Sequence, residues 1–226
     1  MATSPVLEKS EAPVSGELVK GRAALRGIHH LALNTDDLRS TLDFYVKILG
    51  MPLIGGLLTG KGAATEAESR GNPPYDDMPH YFLDMGGDST LAFFEYPKDT
   101  VPTAVRDSLA TMQHVSFAAG PQQFMEIQKR LADANVDITF GPMVLVAPNI
   151  QTMYFYDPNG IRLEVTADMD GDETELDVVG TLTLTKEGMR TQLHTISDDE
   201  DWIESMLDHL HVDSEKGRDF YNLLRK

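Results

Sequence analysis

The sequence contains no cysteine. Disulfide bonds and thiolate–zinc sites are therefore excluded, and any bound metal must be held by His, Asp, Glu or water. Ligands of this kind favour Fe(II), and they also suit Mn, Ni or a zinc site without thiolates. For a divalent metal cofactor we therefore expect Fe(II) first, with Mn, Ni or Zn as the other options.

Basic residues are scarce, since 19 Lys and Arg stand against 36 Asp and Glu, which gives a formal net charge of −17. A surface of this sign repels phosphate backbones and anionic lipid headgroups. We therefore expect a small-molecule substrate, and neither nucleic acid nor a membrane, as the partner. The sequence has no run of about 18 apolar residues and no apolar secretory signal in residues 1–20, so we expect a cytoplasmic location.

The order β–α–β–β–β occurs twice in the hydrophobic pattern, in residues 27–110 and 111–168. An internal repeat of this kind implies two similar units packed side by side. The predicted fold class is α+β, with two paired βαβββ modules forming a curved mixed sheet around a metal cleft. The first module contains a long loop, 59–80, which is a candidate lid. The second includes a short strand predicted at 137–140.

Two segments lie outside the repeat. Residues 1–26 are typical of a flexible leader. Residues 169–226 form an acidic C-terminal extension. In it, leucines alternate with threonines over 181–185, which predicts a strand, and a capping-box pattern predicts a helix near 198–211.

Each module has a histidine in its first strand and a glutamate in its last strand. The histidines are His30 and His114, and the glutamates are Glu95 and Glu164. Side chains alternate along a strand, so His29 and His30 should face opposite ways, and alignment of the two repeats selects His30. Glu164 lies between two apolar residues, where an acid costs several kcal/mol unless it is paired or binds a metal.

These positions predict one metal site, with His30, His114 and Glu164 as ligands and Glu95 as a candidate fourth ligand. Two histidines and one carboxylate leave metal positions open for substrate and oxygen. A single histidine in a strand is more commonly hydrogen-bonded than metal-bound, and a single glutamate near a strand end is more commonly solvated. Their coincidence at repeated positions favours the metal site.

Four motifs carry a resemblance to a known family. They are Gly-Ile-His-His-Leu-Ala-Leu at 27–33, Asp-Phe-Tyr at 43–45 leading into Leu-Gly-Met at 49–51, Gln-His-Val-Ser-Phe at 113–117, and Asp-Pro-Asn-Gly-Ile-Arg-Leu-Glu at 157–164. Over about residues 27–168 the sequence resembles the vicinal oxygen chelate superfamily, which includes glyoxalase I, extradiol ring-cleaving dioxygenases, fosfomycin-resistance enzymes and bleomycin-binding proteins. The resemblance implies the paired-module fold and leaves the reaction open, because this superfamily uses one metal cradle for several chemistries.

The sequence resembles the extradiol dioxygenases most closely around Tyr154. This residue begins the motif Tyr-Phe-Tyr-Asp-Pro-Asn-Gly and lies ten residues before Glu164. The resemblance implies that this phenol donates a hydrogen bond to the bound substrate or to an oxygen species. These enzymes carry an acid–base histidine where this chain has Ser89, and His80 is the candidate substitute. The first hypothesis is therefore an extradiol-type ring-cleaving dioxygenase that acts on a small oxygenated aromatic.

Two further hypotheses remain open. A glyoxalase-like isomerase or lyase would use Glu95 as ligand and base with Ni, Zn or Mn. The bacterial glyoxalases that the sequence resembles carry an arginine and an asparagine at two positions where this chain has Asn34 and Asp99. Glutathione is therefore disfavoured as the co-substrate. The other hypothesis is a non-catalytic protein that sequesters a ligand in the cleft. A homodimer is an option for each, although two modules suffice for one site.

Overall fold

The computed structural model describes residues 20–23, 25, 27–59, 78–100, 102–103, 105, 108–109, 111–146 and 149–217. Strands within these ranges are β1 (His30–Thr35), β2 (Leu53–Thr59), β3 (Met78–Gly86), β4 (Ser89–Glu95), β5 (Val115–Ala118), β6 (Phe140–Val146), β7 (Ile150–Tyr156) and β8 (Arg162–Asp168). Helices are α1 (Leu38–Leu42), which continues as a π-helical segment (Asp43–Ile48), α2 (Pro121–Asp133), α3 (Val178–Leu182), α4 (Lys186–Leu193), α5 (Glu200–Leu207) and a short 3-10 turn (Ser214–Lys216).

The strands form two four-stranded sheets, in the orders β1-β4-β3-β2 and β5-β8-β7-β6. In each sheet the first strand of the module runs parallel to the last, and the other pairings are antiparallel. Each sheet with its helix is one βαβββ module, so the predicted fold class is confirmed. The described strands form two separate hydrogen-bonded sheets, whereas the prediction was for one curved sheet.

The first helix has clear start and stop signals. Asp37 caps its N-terminus, where the Oδ1 atom accepts a hydrogen bond from the Ser40 backbone N–H at 2.9 Å. Such capping satisfies a donor that the first helical turn leaves unpaired. Gly50 has a φ of 79°, which is the left-handed conformation that commonly ends a helix. The helix therefore begins at a side-chain cap and ends before a left-handed glycine.

One apolar core joins the two modules. The Tyr45 ring packs 5.0 Å from Phe93 of its own module, and the Phe44 ring packs 6.4 Å from Phe155 of the other. Burying aromatic side chains of this size contributes about 1.5–3 kcal/mol each. A hydrogen bond from the Tyr45 hydroxyl to Asp157 Oδ2, 3.1 Å long, also crosses between the modules. The core therefore holds both sheets in one packed unit.

Strand alternation assigns each sheet a face against this core and a face away from it, which we call the site face. Leu83, Leu91 and Phe93 belong to the core, so their strand neighbours lie on the site face of the first sheet. That face carries His30, Ala32, His80, Phe82, Ala92 and Phe94. On the second sheet the site face carries Ser116, Thr152, Tyr154, Arg162, Glu164 and Thr166.

The long loop is shorter than predicted. Thr59 ends β2 and pairs with Met78 at the start of β3, while His80 pairs with Leu57. His80 is thus a strand residue, although the sequence analysis assigned it to the loop at 59–80. Residues 60–77, the segment proposed as a lid, lie outside the described residues, as does most of the leader. No helix among the described residues is long and apolar enough to cross a membrane.

The C-terminal extension has a small core of its own. Leu193, Ile203 and Leu207 are buried together, which ties α4 to α5. The helix predicted near 198–211 runs from Glu200 to Leu207. The strand predicted over 181–185 is wrong, because residues 181–182 belong to α3 and Thr185 caps α4.

One side chain links the extension to the second module. The carboxylate of Glu173 accepts hydrogen bonds from the backbone N–H groups of Gln122 and Gln123, both 2.9 Å long. These two donors belong to the first turn of α2, where the helix dipole also favours a negative charge. Glu173 therefore caps a helix that is distant from it in sequence.

Candidate metal centre

The second sheet brings two predicted ligands together. Glu164 in β8 is paired with Ser116 in β5, and His114 precedes Ser116 by two residues on the same face. The Nε2 atom of His114 lies 2.9 Å from Oε2 of Glu164. Glu164 is only 6% exposed, so its carboxylate is held inside the protein. The prediction of a buried glutamate beside a strand histidine corresponds to this pair.

Hydrogen bonds hold the Glu164 carboxylate in its charged form. Burial acts to raise the pKa of Glu164, but hydrogen bonds from Thr152, Tyr154 and Ser116 and the charge of His114 lower it further than burial raises it. The Thr152 hydroxyl donates to Oε1, which leaves Oε2 toward His114. The net pKa lies below the ordinary glutamate value, so the group is an anion at neutral pH.

Tyr154 adjoins both members of this pair. Its ring meets the His114 ring edge-on, with centroids 5.5 Å apart, and its hydroxyl bonds to Glu164. Burial, the hydrogen bond to Glu164 and the charge of that group raise the pKa of Tyr154, so it remains a neutral phenol. The guanidinium carbon of Arg162 also lies 4.3 Å from the centroid of the Tyr154 ring. The predicted hydrogen-bond donor is therefore at the pair, where its hydroxyl already bonds to Glu164.

His30 occupies the matching position on the first sheet. It is exposed at the start of β1, and its ring lies 6.3 Å from Phe82 in an edge-on arrangement. The expectation that His29 and His30 face opposite ways is wrong, because their Nδ1 atoms are 3.0 Å apart. The strand begins only at His30, so strand alternation does not apply to His29.

His80 also lies on the site face of the first sheet. Its ring stacks on Phe94 with centroids 3.6 Å apart and an interplanar angle of 8°, and it is 4.3 Å from Phe82. The Nδ1 atom is 3.1 Å from the Phe93 carbonyl, which can only accept, so Nδ1 carries the proton and Nε2 is an acceptor. Burial, and secondarily the charge of His30, lowers the pKa of His80 below the ordinary value, so the ring is neutral at pH 7.

Glu95 does not face the site, so its prediction as a fourth ligand is wrong. It lies opposite Thr35, two residues beyond the buried Phe93, and therefore points to the core face of the sheet. There its Oε1 atom accepts a hydrogen bond from the backbone N–H of Leu38 at 2.9 Å. Glu95 thus caps the first turn of α1 from a neighbouring strand.

The position equivalent to Glu164 in the first module is Ala92. Glu164 is paired with Ser116, two residues after His114, and Ala92 is paired with Ala32, two residues after His30. Glu95 was matched with Glu164 because both lie near the end of the last strand of their module, but Glu95 lies three residues beyond Ala92. An odd offset along a strand places the side chain on the opposite face of the sheet. The first module therefore supplies no carboxylate at this point.

The geometry of the pair fits a metal ion. Two ligand atoms that each lie about 2.0–2.2 Å from one ion, at a right angle, are about 3 Å apart, which is close to the 2.9 Å between His114 and Glu164. The amide oxygen of Gln113 contacts Nδ1 of His114, which leaves Nε2 as the ring nitrogen that faces Glu164. Over the described ranges, however, no three His, Asp or Glu side chains are gathered closely enough to share an ion, so His30 is not brought to the pair.

Two contributors were missed by sequence reasoning. Thr152, which donates to Glu164, and Arg162, which covers Tyr154, both lie on the site face. Arg162 was accessible from the sequence, because it precedes Glu164 by two residues in a strand. Thr152 was not, because its approach depends on how β7 pairs with β8.

Several solved structures match part of this chain in a structural comparison. A glyoxalase/dioxygenase from Nostoc punctiforme is 22% identical, with 67% of this chain and 97% of that chain covered and a TM-score of 0.48. A glyoxylase/bleomycin resistance protein/dioxygenase domain from Frankia sp. EAN1pec is 19% identical, with 66% and 96% covered and a TM-score of 0.50. The fosfomycin resistance protein FosX from Listeria monocytogenes is 18% identical, with 63% and 93% covered and a TM-score of 0.43. A search of curated proteins found no match.

A family model identifies the two modules directly. The model described as Glyoxalase/Bleomycin resistance protein/Dioxygenase superfamily matches residues 27–165. The match includes His30, His114 and Glu164 and covers more than half of the chain. The chain therefore belongs to the glyoxalase/bleomycin resistance protein/dioxygenase superfamily, the vicinal oxygen chelate proteins that its sequence motifs resemble.

Proposed function

We propose that this protein is a metal-dependent dioxygenase of the extradiol type, acting on a small oxygenated aromatic. His114 and Glu164 would hold one divalent ion, Fe(II) by preference. His30, which the described structure does not bring to the pair, would have to approach from the other module to complete the set. The observation that supports the proposal most strongly is the buried pair itself, with a charged Glu164 2.9 Å from His114 Nε2. A buried carboxylate next to an imidazole nitrogen is a suitable donor set for such an ion.

The absence of a carboxylate at Ala92 favours an oxygenase over a glyoxalase-like enzyme. Two histidines and one carboxylate form the facial triad of non-heme iron oxygenases, with open positions for other ligands. The isomerase or lyase hypothesis needed Glu95 as ligand and base. Because Glu95 caps α1 on the opposite face, that hypothesis loses its catalytic group.

The residues around the pair have roles that follow from their contacts. A bound ion would act as a Lewis acid and make the hydroxyl protons of a coordinated diol more acidic. His80 is neutral, with Nε2 free to accept a proton, and is the candidate general base. Tyr154 holds Glu164 through its hydroxyl.

An aromatic substrate suits the side chains on the first sheet. Phe82 and Phe94 enclose the His80 ring there. On the same side of the second sheet, Phe140 lies 5.9 Å from Tyr154 and is 47% exposed, so an apolar surface borders the pair. Aromatic rings pack favourably against such surfaces in offset or edge-on contacts.

The test combines metal content with oxygen consumption. The protein is purified without oxygen, loaded with Fe(II), analysed for metal, and assayed for oxygen uptake with catechol. We expect about one iron per chain and catechol-dependent uptake. His114→Ala, Glu164→Gln and His30→Ala should each weaken iron binding by at least about tenfold.

His209→Ala is the matched control, because His209 is an exposed histidine in the extension. It should leave iron content and oxygen uptake unchanged. Unchanged iron affinity in any of the three ligand variants would show that the proposed ligand set is wrong. A redox-inert metal with proton exchange would indicate an isomerase, and tight ligand binding without metal would indicate a sequestering protein; either result overturns the dioxygenase.

A further inference from the structure

Arg162 is placed to contact whatever occupies the site. It begins β8, two residues before Glu164, so both side chains project from the site face. The guanidinium carbon lies 4.3 Å from the centroid of the Tyr154 ring, and His114 contacts the same ring. The Tyr154 ring therefore contacts both His114 and Arg162 on the site face.

The charge of Arg162 has no partner among the described residues. No hydrogen bond or salt bridge joins its guanidinium to another side chain that the structure describes, and the guanidinium lies over the Tyr154 ring. Acidic residues outnumber basic ones by 36 to 19 in this chain, and Arg130 and Arg190 both pair with glutamates. A half-buried guanidinium loses hydration, and that loss is normally offset by an anion.

The position of this arginine is also unusual within the fold. Of the Lys and Arg side chains that the structure describes, Arg162 is the one that lies in a strand. A protein with a net charge of −17 repels an anionic substrate at long range, so binding one requires a specific cation in the site. The guanidinium group is planar and matches a carboxylate with two parallel hydrogen bonds.

We propose that Arg162 binds a carboxylate of the substrate, which makes the substrate class a small aromatic diol that carries a carboxylate. The inference rests on the proposed function for the diol, and on the unpaired guanidinium for the carboxylate. Arg162 is thus a residue that determines specificity, and it takes no part in holding the ion.

Binding measurements test the inference with two probes, catechol and 3,4-dihydroxybenzoate, by titration calorimetry on the iron-loaded protein without oxygen. We expect the carboxylated probe to bind at least about tenfold more tightly than catechol. Arg162→Gln should abolish this preference by weakening the binding of 3,4-dihydroxybenzoate. Arg162→Lys should restore part of it, because the charge returns without the planar fork.

Arg39→Gln is the matched control, because it removes the same charge from an exposed position on α1. It should keep the preference intact. Iron content and thermal melting of each variant show whether the site and fold survive. Equal affinity for both probes, or an unchanged preference in Arg162→Gln, overturns the inference even when catechol is consumed. Conversely, loss of carboxylate binding in Arg162→Gln supports the anion subsite even when oxygen uptake is absent and the proposed reaction fails.

Discussion

Replacing Glu95 by alanine should lower the stability of the protein and leave its metal content unchanged. The carboxylate accepts one hydrogen bond from the Leu38 N–H at the first position of α1. Losing a capping acceptor costs about 1 kcal/mol, and losing a negative charge at a helix N-terminus costs about 0.3–1 kcal/mol when partly exposed. Because both terms describe the same contact, we expect a total of about 1 kcal/mol. For a chain of this size, that lowers Tm by about 2–4 °C.

The assay measures urea unfolding and iron stoichiometry on the same preparations. Glu95→Gln keeps an acceptor without the charge, so it should lose about half as much stability. Glu126→Ala serves as a control for removing a surface glutamate, since Glu126 makes only an exposed pair with Arg130. If Glu95→Ala instead reduced iron affinity tenfold or more at unchanged stability, Glu95 would be a ligand and the register of β4 described above would be wrong.

Two further predictions concern contacts that cross between units of the fold. Tyr45→Phe should destabilise the protein by about 1–2 kcal/mol in urea unfolding, because Asp157 loses a buried donor; an unchanged midpoint would show that this hydrogen bond contributes nothing. Glu173→Ala should cost about 1 kcal/mol and speed hydrogen exchange at Gln122 and Gln123; unchanged exchange at both amides would contradict the capping role.

The module architecture could be predicted because helix and strand periodicities are local properties of the chain. The bounds were less predictable where Gly and Pro interrupt a run. The strand predicted at 137–140 in fact runs from Phe140 to Val146 as β6, through Pro142. An edge strand tolerates proline because it has unpaired positions for a missing N–H, and β6 is the edge of its sheet.

Local pattern failed in the extension for a different reason. The alternation of leucine and threonine over 181–185 suits a strand, but a strand also needs a neighbour to pair with. Asp177 instead caps a helical turn by accepting a hydrogen bond from the Gly180 N–H at 2.8 Å. Capping is a short-range interaction worth about 1 kcal/mol, which is as large as the differences in strand propensity.

Some residues of the candidate site can be identified from local sequence, whereas the position of others depends on how distant strands pair. His114, Glu164 and Tyr154 could be identified because a strand motif and a fixed spacing place them, whereas the face of Glu95 depends on how β1 pairs with β4. That pairing joins segments about sixty residues apart, so spacing along the chain does not determine it. Both glutamates have apolar or aromatic neighbours on both sides. Glu95 follows Phe93 by two, whereas Glu164 follows Arg162 by two, and this difference was the available signal.

The register also shows how the two modules have diverged at equivalent points. Tyr154 is paired with Glu164 in the second sheet, and the equivalent pair in the first sheet is Phe82 with Ala92. A phenol and a carboxylate are thus replaced by a phenyl ring and a methyl group. The first module lacks the polar groups that could surround a second charge at this position, and it presents apolar side chains instead.

One step further along the same strands, Thr152 and Thr166 correspond to His80 and Phe94. In the second sheet the Thr152 hydroxyl donates to Glu164, whereas in the first sheet the His80 ring stacks on Phe94. The duplicated fold therefore presents a hydrogen-bonded anion on one sheet and an aromatic surface with a neutral imidazole on the other. In the proposed function, the second module would hold the ion and the first would hold the ring, which explains why only one of the two modules needs a carboxylate.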